Sequence, residues 1–135
     1  MHESEVIEIL KSNETFSGAD NEVLSGLISD GEVHAFEAGE NIVVQGETGK
    51  SIWVLLEGEL IVLIDEKEVN RVSGKGLIFG EISAVSFTPA TATVRSAESS
   101  KAISFPHRSL HRAMEKSPSL AASLLRSMAK YLGNT

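Results

Sequence analysis

Apolar positions along this 135-residue chain change their spacing twice. Residues 4–11 (SEVIEILK) place Val6, Ile9 and Leu10 at helical intervals, which predicts a short amphipathic helix. Ser17 stands where a helix cap belongs. From it a second helix is predicted to about residue 29, with Val23, Leu24, Leu27 and Ile28 as its apolar stripe and Gly31 as its stop. From Glu32 the period drops to two. Residues 33–36 lead to a turn at 38–40, residues 41–44 form a short strand, and Gly46 and Gly49 mark another turn. A β-branched and aromatic run, 51–56, ends at Glu57-Gly58-Glu59, and residues 60–64 continue it. Asp65-Glu66-Lys67 turns the chain back into 69–72, and Gly74 and Gly76 lead into Leu77, Ile78 and Phe79. Short strands at about eight- to twelve-residue spacing, punctuated by glycine, predict a barrel-like or sandwich β-domain.

A polar turn at 96–100 precedes a last strand, 101–105, and then the helical period returns. Pro106 suits the first turn of a helix running to about residue 116. Ser117-Pro118 breaks it, and residues 119–132 form another, with Leu120, Leu124, Met128 and Leu132 on one side and Gly133 at its end. That stripe needs an apolar cover, either the β-domain or a second copy of the chain. The boundaries are therefore 1–31 for the N-terminal helices, 32–105 for the strands and 106–135 for the C-terminal helices, all in one domain.

Composition narrows the class. Hydrophobic residues make up 41% and charged residues 23%, ordinary for a globular protein. No apolar run reaches the length of a membrane span, and the first residues (MHESE) lack the basic and apolar regions of a secretory signal. The chain has no cysteine, which removes disulfides and zinc–thiolate sites and fits a cytoplasmic protein. A net charge of −7 with scattered Lys and Arg leads us to expect neither nucleic-acid nor membrane binding. With the chain ending at Thr135, no DNA-binding, kinase or channel segment is expected beyond it.

Candidate chemistry is sparse. His107, His111 and Glu115 fall four apart on one predicted helix face and could in principle hold a metal, but no HExxH-like pattern supports this, and a solvated polar face is the simpler reading. Serines are plentiful, yet no G-x-S-x-G elbow occurs. Neither an enzyme nor a metal site nor a cofactor is expected. The remaining signal is residues 76–95, GLIFGEISAVSFTPATATVR. Gly80 ends a strand-like run where a missing Cβ would let a ligand approach the backbone. A helical turn after it would aim free N–H groups at an anion, and the Glu81 carboxylate, an acceptor only, would suit hydroxyl groups.

This stretch resembles a known family. Phe79-Gly80-Glu81-Ile82-Ser83-Ala84, followed by Pro89 and Thr91-Ala92-Thr93-Val94, is similar to the phosphate-binding cassette (here 79–94) of cyclic-nucleotide-binding domains of the catabolite activator protein and protein kinase A regulatory subunit type. The phrase AGENIVVQGETGKSIWVLLEGEL resembles the same family's strand signature, so the likeness spans about residues 16–132. It implies a mainly β, α+β fold, an antiparallel β-roll (a double-stranded, jelly-roll-like β-helix) flanked by N- and C-terminal helices, with a short helix after Gly80. It implies a non-catalytic regulatory or sensor domain whose ligand is cAMP or cGMP. Binding would involve Phe79, Gly80, Glu81, Ile82, Ser83, Ala90, Thr91 and Ala92, with Glu81 on the ribose hydroxyl and the backbone of 80–83 facing the phosphate. The family pattern places a phosphate-pairing arginine after the proline, and here that position is Ala90. Weak nucleotide binding is therefore expected. Lys75 and Arg95 are the nearby cations in sequence, and parity along an extended strand points Arg95 to the opposite face. The alternative is a degenerate domain that binds no nucleotide and serves as a dimerisation or protein-docking scaffold through its C-terminal helix.

Overall fold

A change from helical to strand period at Glu32 divides the molecule into a helical layer and two sheets. The computed structural model describes residues 2–80 and 88–133, the side chains of 127, 128 and 130–133 aside. Three helices come first: α1 (Glu3–Lys11), α2 (Glu14–Ser17) and α3 (Asn21–Ser29). Eight strands follow: β1 (Glu32–Phe36), β2 (Asn41–Val43), β3 (Ser51–Glu57), β4 (Glu59–Ile64), β5 (Lys67–Ser73), β6 (Ile78–Phe79), β7 (Thr93–Ser96) and β8 (Ser100–Pro106). Helices α4 (His107–Lys116) and α5 (Pro118–Gly133) close the described chain. Among the described residues no helix is long and apolar enough to cross a membrane.

The strands pair antiparallel in two four-stranded sheets, ordered β1-β8-β3-β6 and β2-β7-β4-β5. Alternation along β3 and β8 assigns each side chain a face. Ile52, Val54, Ile103 and Phe105 turn to the helices, where they meet Leu10, Phe16, Leu24, Leu27, Leu110, Leu120 and Leu124 in the larger core. Leu55 and Ala102 turn the other way and meet Leu60 and Val94 of the second sheet, with Phe36, Val43, Trp53 and Val72 packed against them. The fold is thus mainly β, an antiparallel β-roll with its N- and C-terminal helices packed together against one face of the first sheet. Each large apolar side chain taken fully out of water stabilises it by about 1.5–3 kcal/mol.

One expectation is corrected. The helix predicted to run from Ser17 begins only at Asn21, as α3, and a further short helix, α2, comes before it, so three rather than two precede the strands. Ser17 is the last residue of α2 and not a cap; the cap is Asn13, whose Oδ1 accepts from Thr15 N at 2.7 Å. Gly18 then ends α2 against Ser119 of α5, where a side chain would collide, and Asp20 takes the N-cap position of α3. The end of the 51–56 run expected at Glu57-Gly58-Glu59 is where the structure parts β3 from β4. Gly58, at φ +114°, turns the chain from β3 in the first sheet to β4 in the second, and a Cβ there would lie 2.8 Å from Ser100 Cα. The short helix expected after Gly80 lies outside the described residues.

Candidate functional site

β6 brings Phe79 and Gly80 to the inner face of the first sheet. Phe79 pairs with Trp53 across the ladder, and their rings stack with centroids 6.1 Å apart. Phe36 meets the same indole edge-on at 5.7 Å, and His34 lies 5.2 Å from it. Gly80 ends the strand at φ +76°, a left-handed conformation that side chains disfavour. Space alone does not demand glycine: an added Cβ would meet Trp53 Cδ1 at 3.4 Å, the Ser51 carbonyl oxygen at 3.5 Å and Val43 Cγ2 at 3.7 Å. The backbone turn requires it.

The loop carrying Ala90 is held from the other side. Ala90 N donates to the Glu47 carbonyl and Gly46 N donates to the Ala90 carbonyl, each at 2.9 Å, and Thr48 bridges Pro89. Gly46 takes φ +87° to make that turn. Ala90 and Ala92 are half-buried and Thr91 is exposed. The structure therefore describes Phe79, Gly80, Ala90, Thr91 and Ala92, while Glu81, Ile82 and Ser83 lie outside the described residues.

Sequence reasoning missed three supports. Asn13 Nδ2 donates to the Gly76 carbonyl at 2.8 Å, tying the α1–α2 junction to the loop that feeds β6. Gly76, at φ +89°, lies so close to Ile9 O that a Cβ would stand 2.8 Å away. Thr93 is buried, and its Oγ1 accepts from Gln45 N at 3.0 Å, while the Gln45 amide exchanges two hydrogen bonds with Asp65. Thr93 and Gln45 lie within the motifs that carry the resemblance, but nothing in those motifs gave their hydrogen bonds, and Asn13 has no motif at all.

The rival sites resolve differently. Arg95 lies on the outer face of the second sheet, where Nε donates to Asn41 Oδ1 at 2.7 Å and Nη2 reaches Glu66 at 3.3 Å. Its neighbour across β4 and β5, Arg71, is held above the ordinary guanidinium value by its hydrogen bond to Glu68 and then by the charges of Glu68 and Glu59. Lys75 is exposed. His107 and His111 have ring centroids 6.3 Å apart, and His107 Nδ1 lies 3.2 Å from the Lys50 carbonyl. Among the described residues no group of three or more His, Asp and Glu stands close enough to hold a metal ion. His34 contacts Ser104 Oγ and Glu32 through the same Nε2, each at 3.4 Å. A nucleophile relay needs one ring nitrogen for the serine and the other for the acid, so this arrangement is not one.

Known proteins share this fold. The sensor domain of the transcriptional regulator DNR from Pseudomonas aeruginosa superposes with a TM-score of 0.84 at 18% identity, over 98% of this chain and 91% of that one. The regulatory domain of Toxoplasma gondii PKA, solved with cAMP, gives 0.80 at 22% identity, over 98% of this chain and 50% of that one. Those likenesses concern the fold. In sequence, potassium channel KAT2 of Arabidopsis thaliana is 30% identical over 102 residues, 73% of this chain but only 15% of the channel's length. The family model described as Cyclic nucleotide-binding domain matches residues 33–117, from β1 to the end of α4. With more than half its length under that match, the chain belongs to the cyclic nucleotide-binding domain family.

Proposed function

We propose that this chain is a non-catalytic regulatory or sensor module that takes cAMP or cGMP weakly. One observation supports the reading above others: the loop tied to Gly46 and Glu47 carries Ala90, a side chain without charge, at the position where the resemblance calls for an arginine. Glu81 accepts from the ribose hydroxyl, the N–H groups after Gly80 face the cyclic phosphate, and the Thr91 hydroxyl donates to it. Arg95 does not serve as a substitute, because Asn41 and Glu66 already hold it on the outer face.

Magnitudes favour weak binding. A buried phosphate must replace its lost hydration, and an arginine fork does so with two charge-assisted bonds. Loss of one partner from such a pair costs about 2–5 kcal/mol. Each neutral donor that remains offsets only about 1 kcal/mol. Binding therefore falls in the high micromolar range or weaker. Calorimetry with cAMP, cGMP and cyclic dinucleotides tests this; tight binding of cAMP by the unmodified chain would overturn it.

A second reading, a scaffold that takes no nucleotide, draws on Leu125 of α5, which is 60% exposed. Leu120 and Leu124 of the same helix are fully buried in the chain's own core and are not offered to a partner. Sedimentation of the unmodified chain against Leu125→Glu separates the two, since only the scaffold reading expects a dimer that the charge dissociates.

A further inference from the structure

Charge is divided unevenly along this acidic chain. Residues 106–135 hold five of its twelve Lys and Arg and one of its nineteen acids, a net +4, while residues 1–105 hold seven against eighteen, a net −11. Much of the positive charge lies in one line. Ser109, Leu110 and Ala113 turn the inner face of α4 to the core, which leaves Arg108, Arg112 and Lys116, each four residues apart, exposed on the outside. His107, His111 and Glu115 run beside them, and Arg108 and Arg112 share with these three a shallow hollow of about 470 Å³. Arg112 leans on Asp30 at 3.8 Å, and Asp30 also accepts from Ser109 Oγ at 3.0 Å. Arg108 makes no hydrogen bond or ion pair among the described residues.

We propose that this face of α4 docks an acidic segment of a partner protein, in extended form, with carboxylates at alternate positions. Four residues of helix advance about 6 Å, so the three cations stand about 6 Å apart. Alternate side chains of an extended strand stand about 6.6–6.8 Å apart on one face, which puts successive carboxylates opposite successive cations. The arginine forks take carboxylates with two hydrogen bonds each. The occupant is a peptide rather than a nucleic acid or an anionic bilayer, because acids are set among the cations. Glu115 borders one side, and Asp20, Glu22 and Asp30 line the groove between α3 and α4 on the other. A polyphosphate surface carries charge without gaps and meets these acids unfavourably; a peptide can place neutral residues there. The proposal is independent of nucleotide binding.

The test measures binding of a fluorescent peptide of alternating glutamate and serine to the full chain, at salt below and at about 0.15 M. We expect binding that weakens with salt, and about a tenfold loss in Arg108→Glu/Arg112→Glu, since two exposed pairs become repulsive. Lys67→Glu/Lys75→Glu makes the same charge change elsewhere and should leave binding unchanged. Arg108→Gln/Lys116→Gln, which keeps the Arg112–Asp30 contact, should weaken binding at an unaltered melting temperature. Equal loss in the Lys67/Lys75 variant, absence of peptide binding, or tighter binding of polyphosphate or phosphatidylserine vesicles to the same face would overturn the proposal. So would self-association at low salt that the Arg108/Arg112 variant abolishes, which would make a second copy of the chain the occupant.

Discussion

The two sheets of this roll are made of similar residues and live in different surroundings. The first is covered on both faces along its central strands, by helices on one side and by its partner sheet on the other. There β3 and β8 are buried along most of their length, while its edge strand β1 has no buried residue. The second has one face in solvent, and its edge strand β5 is exposed at every residue but Val72. The difference teaches where sequence is constrained. In the covered sheet, apolar residues occur on consecutive positions (Val54, Leu55, Leu56), because both faces need them. In the open sheet, the outward positions carry Asn41, Arg95, Arg71 and Glu59, joined by hydrogen bonds and ion pairs that contribute little each.

The sharpest test of that contrast is truncation. Phe105→Ala, in the core between the first sheet and the helices, should cost about 3–5 kcal/mol in denaturant unfolding, whereas Val69→Ala on β5 should stay within about 0.5 kcal/mol. Near-equal losses would mean that the two faces are not as different as their burial states. Gly58→Ala and Gly39→Ala compare two left-handed glycines. Both carry positive φ, but an added Cβ at 58 meets Ser100 while at 39 it meets nothing within 4 Å. The first should lose well over 2 kcal/mol and the second about 1 kcal/mol, read as melting temperatures.

Next in size is a gain of binding. Ala90→Arg should tighten cAMP at least about tenfold by calorimetry, and adding Glu81→Ala should remove most of the gain. An intact Ala90→Arg protein with no gain would sink the proposed site. The smallest effect concerns the open sheet's hairpin. Asp65 and Glu66 form its two-residue loop at φ +52° and +65°, the left-handed pair that favours glycine at the second position. Glu66→Gly should raise stability by about 0.5 kcal/mol, the relief of backbone strain being partly offset by the lost contact with Arg95.

Strand positions were legible because glycine and the two-residue period coincide at turn after turn, and the family was legible because its cassette is a contiguous motif. The split between α2 and α3 was not. The stripe Val23, Leu24, Leu27 and Ile28 does not say where its helix begins, and Ser17 reads as the cap although Asn13 caps α2 and Asp20 takes the N-cap position of α3. The break between β3 and β4 was legible at Gly58, but not the packing of Ser100 against that glycine. The basic line on α4 was hidden by counting. A net charge of −7 masks three cations that fall on one face only when their four-residue spacing is read. Of the site, the two ends that the structure describes were named in advance, whereas the Asn13 tie to Gly76 joins residues 63 positions apart and has no local pattern.

Trp53 is the only tryptophan of the chain, and it stands half-buried with its ring against the Gly80 turn. Indole emission shifts to the blue when water leaves its surroundings. The molecule therefore carries an unlabelled optical probe at the mouth of the roll, next to the proposed phosphate turn. A titration followed at the emission maximum, with Trp53→Phe as the dark control, would register any solute that displaces water there, whatever its chemical identity.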